Sequence, residues 1–537
     1  MSAWYEDTVV YAVDVERFRD SDGNGIGDFD GLVQQLVYIA GLGANCVWLL
    51  PFYPTPNRDN GYDIEDFYGV DPRLGSPGDF VEFMEEADRL GLRVIVDLVM
   101  SHTSDQHPWF QHARRDAESR YRNYYLWSEE PVGGEDKLMV TGQEDSPWTW
   151  DEEAGLYYFH RFYSFQPDLD NAHPDVREEL DKLVSFWCRL GAAGVRVDAA
   201  TFLVDKAGHG FLREMRSAAQ DYHSEPLLLG ETDVGAERLD AFFGDGDELN
   251  CLFNFLCNNY LFLALARGEA EPLERGLRML PDPPPGCAWG NFLRNHDELN
   301  LDQLTEDERG EVLAAFAPDE EMRVFGGKGI RRRLAPMLHG DRRRLALAYS
   351  LLFAFPGVPV LRYGEEIGMG DDLSLQGRNA VRTPMQWSRE HNAGFSSAAP
   401  NRLVEPVIAD GPYGFEQINV ADQERDPDSL LNLVRGLAWA RRRLRAIGAR
   451  RWEIVDVGHP GVLALRYPGE QDTVLTLHNL AGDEARVDLS RALEGGGLPI
   501  DIVGDRSYEP LDSAGEGCVL PPSGYRWLRS STDQPPP

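Results

Sequence analysis

DFVEFMEEADRLGLRVIVDLVM, residues 79–100, decides the fold. Its first half is apolar at helical spacing and stops at Gly91, which predicts an amphipathic helix and its end. Its second half, LRVIVDLVM, is apolar almost throughout and rich in β-branched residues. A strand of that kind is buried on both faces, as in a parallel sheet covered by helices. The same strand signal recurs outward in both directions, as TVVYAVDV (8–15), NCVWLLPF (45–52), GVRVDAA (194–200), PLLLGET (226–232), WGNFLRNHD (289–297) and GVPVLRYG (357–364). With space for an eighth strand around 250–257, this α/β pattern predicts a (β/α)8 TIM barrel. Strand counting alone leaves a doubly wound open sheet as the alternative.

Two stretches break the rhythm. Residues 103–165 follow the third strand and are rich in Trp, Tyr, Gly and charge, which predicts a subdomain inserted there. After about residue 448 the pattern becomes WEIVDVG, GVLALRY, TVLTLHNL and similar runs between turns, which predicts a C-terminal antiparallel β domain over 448–530. The barrel is then divided into 1–102 and 166–447, and 531–537, ending QPPP, reads as a loose tail.

Composition narrows the function. Of 537 residues, 42% are hydrophobic and 26% charged, as in a globular protein with a sizeable core. Asp and Glu total 90 against 52 Lys and Arg, a net charge of −38. Such a surface repels phosphate backbones and anionic lipids, so neither nucleic acid nor membrane is expected as a partner. A small molecule is the expected partner, and a homo-oligomer is compatible with the sequence. The opening MSAWYEDTVVYAVD carries acids where a signal peptide needs a basic stretch, which predicts a cytoplasmic protein. Cys46, Cys188, Cys251, Cys257, Cys287 and Cys518 are scattered without CxxC pairing, which predicts buried reduced thiols.

In such a barrel, polar residues at the C-terminal ends of the strands face a common mouth. Those ends carry Asp97 and His102 after strand three, Arg196 and Asp198 on strand four, Glu231 on strand five, and His296 and Asp297 after strand seven. Three carboxylates, two imidazoles and a guanidinium converge without metal-ligand spacing. Carboxylates on adjacent strands can stand about 5–5.5 Å apart, the separation for double displacement at a sugar carbon with retained stereochemistry. Arg196 lies two residues before Asp198, on the same strand face, where it favours the ionised carboxylate.

These segments also carry a resemblance. DLVMSHTSDQH, GVRVDAA, GETDV and FLRNHDE resemble the four signature segments of the α-amylase superfamily of retaining α-glucoside enzymes, and QPDLD (166–170) is similar to a fifth. Within it, WLLPFYPTPNRDNGYDI, SHTSDQHPWFQHARR, IRRRLAP and GMGDDLSLQGRNAVRTPMQWS resemble the trehalose-synthase branch. The resemblance implies Asp198 as nucleophile, Glu231 as general acid/base and Asp297 as the residue gripping ring hydroxyls. It also implies His102 and His296 on the glucosyl hydroxyls, Asp59 and Tyr62 seating that glucose, and Arg382 closing the pocket at the same end.

Asp20, Asp22, Asn24 and Asp28 in DSDGNGIGD alternate with small residues, and Ile26 offers its carbonyl, a pattern that can curl around a hard cation. A structural calcium or magnesium ion is expected there, with no organic cofactor. A second cation beneath the inserted subdomain stays open, because Ser101 stands where the family's site uses Asn, although Asp168 could still serve.

The departures bear on the reaction. Asp170 replaces the usual Asn of the QPDLN motif, GETDVG replaces an AEANQW-like stretch, and the insert that trehalose synthases carry after strand four is missing before DKAGHGFLREM. A looser acceptor side favours competition by water. The leading expectation is therefore intramolecular glucosyl transfer between maltose and trehalose with some hydrolysis. The alternative is an α-glucosidase acting on short α-glucosides. A non-catalytic amylase-like binding subunit is disfavoured by the retained Asp198, Glu231 and Asp297.

Overall fold

In the computed structural model, the described residues are 3–531 except 134–137, 141–142, 449–450, 470–471, 494–498 and 512–517. The expected tail beyond 531 lies outside them.

Eight parallel strands close on themselves: β1 Val10–Val13, β2 Cys46–Leu49, β3 Arg93–Leu98, β4 Gly194–Val197, β5 Leu227–Gly230, β6 Cys251–Phe253, β7 Ala288–Phe292 and β8 Val358–Arg362. The last pairs with the first, Val10 opposite Val360. The barrel excludes the open sheet. Every residue of these strands is buried except Arg93 at the start of β3. Alternate side chains fill the interior, with Trp48, Ile95, Leu229, Phe253, Phe292 and Val360 in one apolar cluster.

The helix before β3 shows how sequence sets the outer ring. Ser76 and Asp79 form a reciprocal capping box with Pro77 in the first turn, so the helix runs Pro77–Arg89. It buries Phe80, Phe83 and Ala87, and Gly91 takes φ +71° to turn the chain into β3.

Between β3 and β4, strands Trp127–Ser128, Leu156–Phe159 and Trp148–Asp151 form a small antiparallel sheet. Toward the C-terminus, Glu453–Ile454, Val462–Pro468, Asp472–Asn479, Tyr525–Ser531 and Ile500–Gly504 form a five-stranded antiparallel sheet with its own apolar cluster. The six cysteines are buried thiols outside any disulfide. Among the described residues, no helix is long and apolar enough to cross a membrane.

Candidate active site

Strand register builds the centre of the barrel mouth. Asp97 of β3 sits directly opposite Arg196 of β4, both pointing inward. Arg196 Nη1 donates to Asp97 Oδ1 at 2.8 Å and to Asp198 Oδ1 at 2.6 Å, while Nη2 donates to Glu231 Oε2 at 2.7 Å. Asp198 and Glu231, one residue past the ends of β4 and β5, are thus bridged by one guanidinium. Ala199 adopts φ +45°, a left-handed conformation that is strained for a residue other than glycine. That twist aims its N–H at Glu231 Oε2, 2.9 Å away.

One cation faces three carboxylates, of which Asp97 and Asp198 are buried and Glu231 half-buried. Burial pushes Asp97 up to about 6 and Asp198 up to about 7, with Arg196 opposing both shifts. Burial raises Glu231 as well, again against Arg196. Around neutrality the cluster holds shared protons that belong to the group as a whole.

Asp297 is held differently. Burial would raise it, but His296, Arg378 and Arg382 together hold it well below the carboxylate range. Arg378 Nη1 and Arg382 Nη2 donate to its Oδ1 at 2.6 and 2.7 Å, and His296 Nε2 lies 2.9 Å from its Oδ2. Burial lowers His296 to about 4, so this imidazole is neutral. Its ring stacks on Tyr62 with centroids 5.4 Å apart and planes at 4°. His102, also lowered by burial, points Nε2 at the Tyr62 carbonyl, 3.0 Å away.

Asp59, Tyr62, His102, Asp198, Glu231 and Asp297 line one pocket of about 240 Å³. Arg196 lies beneath it, His296 behind Tyr62, and Arg382 behind Asp297 with Nε on the His296 carbonyl. The arginine that reaches Asp59 is Arg378, at 3.1 Å, and not the expected Arg382. Arg378 spans Asp59 and Asp297 and closes that end of the pocket. Sequence reasoning missed it, although it stands four residues before Arg382 in GRNAVR, on the short helical turn Gly377–Val381 that Arg382 directly follows. Also missed were Phe162, Phe255 and Phe325, which supply apolar walls, and Asp233, Glu298, Asn300 and Asp302, which line the same pocket. Asp233 accepts from Asn300 Nδ2 at 2.6 Å and Gln303 Nε2 at 2.5 Å. Gln166 of QPDLD donates to Asp59 at 3.0 Å, whereas Asp170 caps the turn at Ala172.

A larger groove of about 1310 Å³ lies between the helices Arg342–Ala354 and Leu430–Arg443 and the C-terminal sheet. Its carboxylates Asp428, Asp501 and Asp505 are exposed, and it offers no buried acid pair.

The cation loop fits a hard ion. Carboxylate oxygens of Asp20, Asp22 and Asp28 converge within 4.8 Å of one another. Asn24 Oδ1 accepts the Ile26 N–H at 2.7 Å, keeping the loop curled. Gly25 takes φ +100°, and a Cβ there would lie 2.1 Å from the Arg402 carbonyl, so the curl and the close packing both need glycine. Asp168, considered for a second cation, is paired with a lysine. Lys206 Nζ donates to Asp168 Oδ2 at 2.6 Å and to the Leu169 carbonyl at 3.0 Å.

Comparisons with known proteins agree with this geometry. The family model described as alpha amylase, catalytic domain, matches residues 12–309 and 330–449. The chain is 39% identical to the trehalose synthase/amylase TreS of Mycolicibacterium smegmatis, over 99% of this chain and 94% of that protein. It is 36% identical to a trehalose synthase of Pimelobacter sp., over 98% and 96% respectively. The crystal structure of an alpha-amylase from H. orenii superposes with a TM-score of 0.80 at 25% identity, covering 98% of this chain and 99% of that one.

Proposed function

The chain belongs to the α-amylase family, and on that premise we propose that it interconverts maltose and trehalose by glucosyl transfer with retained stereochemistry, releasing some glucose. The observation that carries the reading is the Asp198–Arg196–Glu231 bridge at the floor of a pocket closed by Asp59, Arg378 and Asp297. A pocket sealed at one end takes a terminal glucosyl unit, which suits a disaccharide better than a polymer.

Glu231, whose carboxyl is raised by burial, protonates the glycosidic oxygen as Asp198 attacks the anomeric carbon. The leaving sugar departs as an alcohol, and the glucosyl unit is held through a β ester to Asp198. Asp297, kept ionised by its two arginines, binds ring hydroxyls, with His102 beside them and His296 braced behind Tyr62. Asp59 and Arg378 hold the far hydroxyls, and Tyr62 presents its face to the sugar. Glu231, now a carboxylate, then takes a proton from whichever hydroxyl attacks next. If the released glucose has turned so that its anomeric hydroxyl attacks, the product is trehalose; if water attacks, glucose is released. Asp233, which accepts from Asn300, and Phe325 also line the pocket in which that glucose would turn. A structural cation, calcium by the character of its oxygen donors, would be held by Asp20, Asp22, Asn24, Asp28 and the Ile26 carbonyl. It would tie the loop after β1 to the 395–404 segment and take no part in bond breaking.

The test is a time course on maltose with labelled free glucose added. Trehalose carrying little label from the outset supports intramolecular transfer. Glucose as the sole product from the first minutes overturns it and makes the enzyme an α-glucosidase.

A further inference from the structure

We propose that Arg331 is the positioning residue for Arg378, and through it sets the closed end of the sugar pocket. The inference rests on the reading of that pocket as a terminal-glucosyl site. Arg331 directly follows the short strand Gly329–Ile330, far from any reacting atom. Its guanidinium makes four hydrogen bonds, all to backbone carbonyls. Nε donates to Glu321 at 2.7 Å, Nη1 to Leu375 at 2.6 Å and Gly377 at 3.2 Å, and Nη2 to Leu373 at 2.9 Å. A surface arginine with a solubilising role does not gather three alternate carbonyls of one loop. A planar fork that does so fixes the path of that loop.

The loop ends at Gly377, φ +52°, and the next residue is Arg378, whose two terminal nitrogens meet Asp297 and Asp59. The flanks of the loop have their own ties, Asp372 N–H donating to the Ala380 carbonyl at 2.8 Å and Asn379 Nδ2 to Glu405 at 2.9 Å, whereas Arg331 holds the 373, 375 and 377 carbonyls that lead directly into Arg378. Arg331 is itself anchored, its N–H donating to the Met322 carbonyl at 3.0 Å. The same residue therefore joins the hairpin of Arg323–Val324 and Gly329–Ile330 to the Arg378 loop. At the tip of that hairpin, Phe325 holds a left-handed φ of +53°, an outlier for a bulky residue, and its ring lines the pocket.

The experiment compares Arg331→Ala, Arg331→Lys, Arg378→Ala and the double variant Arg331→Ala/Arg378→Ala with the parent on hydrolysis of an aryl α-glucoside. That substrate reports the first chemical step whether water or a sugar completes the reaction. Arg331→Ala is expected to raise KM about tenfold with a smaller change in kcat, and free guanidinium ion should restore part of the loss. The double variant should match Arg378→Ala alone, because both substitutions disable one contact. Losses that multiply in the double variant, or Arg331→Ala within about twofold of the parent, overturn the proposal. Should Arg331→Ala fail to fold, Arg331→Lys combined with Arg378→Ala gives the same comparison. A parent that turns over no α-glucoside refutes the function proposed above, whereas an active parent with multiplying losses refutes only this inference.

Discussion

Replacing Arg196 by Lys keeps the charge and removes the fork. An ammonium is a single point, and it cannot occupy the positions of both Nη1 and Nη2, which now serve Asp198 and Glu231 separately. Losing one charge-assisted hydrogen bond costs about 1.5–3 kcal/mol, which at about 1.36 kcal/mol per pKa unit is a rise of about one to two units. Asp198 already stands near 7 because of its burial. At neutral pH its ionised fraction would fall from about half to between about a tenth and a hundredth, so kcat/KM should drop about five- to fiftyfold from this cause alone. Glu231 loses the same support, so the whole bell of kcat/KM against pH should move to higher pH. The assay is that profile on an aryl α-glucoside between pH 5 and pH 9 or so, with melting curves to show that the variant folds. A uniform loss of rate with both limbs unmoved would refute the electrostatic reasoning and leave Arg196 a purely geometric role.

Asp198→Asn should abolish turnover of every α-glucoside, since no other carboxylate can form the glucosyl ester; residual parent-like activity in the folded variant removes Asp198 from the role. The same variant should melt higher than the parent at alkaline pH. Burial lifts the folded-state value of Asp198 to about 7, above about 3.9 in the unfolded chain, so its protonated form supports the fold and that support is lost as pH rises between those values. The expected gain is a few degrees near pH 8, smaller near pH 5 and gone only below about pH 4; a gain that does not grow between pH 5 and pH 8 contradicts the sign. Glu231→Gln should fail on maltose yet still be glucosylated by α-glucosyl fluoride, whose leaving group needs no proton, with trapping of the ester read by mass. Chelation, or Asp20→Ala, should lower the melting temperature while leaving the chemistry of whatever remains folded unchanged; melting unaffected by chelator and by added calcium argues against the cation.

How much of this was legible in the sequence depends on what each residue answers to. Strands such as Arg93–Leu98 announce themselves because both faces are buried, and a strand's end fixes where the next residue lies. Asp198 and Glu231 could therefore be placed by counting alone. The sixth strand, Cys251–Phe253, has only three residues inside a longer apolar stretch that continues into a helix, so its bounds were blurred. Arg378 was illegible for a different reason. It sits on a short helical turn reached through a loop whose carbonyls are held by Arg331, about fifty residues away in sequence. The stretch around Arg382 is motif-like, yet the arginine four residues earlier makes the contact with Asp59. Lys206 could not be assigned to Asp168 before the fold brought the loop after β3 beside the helix Ala200–Ala207.

That lysine has a consequence for how the two ends of the barrel mouth are secured. An ion held by Asp20, Asp22 and Asp28 obeys mass action, so the grip it gives depends on how much of it the surroundings supply. The Lys206 ammonium is covalently part of the chain and cannot be diluted, chelated or exchanged for a competitor. The segment around Asp168, beside the sugar pocket, is thus fastened as soon as the polypeptide folds, whatever the medium contains. Its vulnerability is of another kind: the tie weakens when the pH climbs far enough to discharge a buried amine, and burial brings that point below the ordinary lysine range.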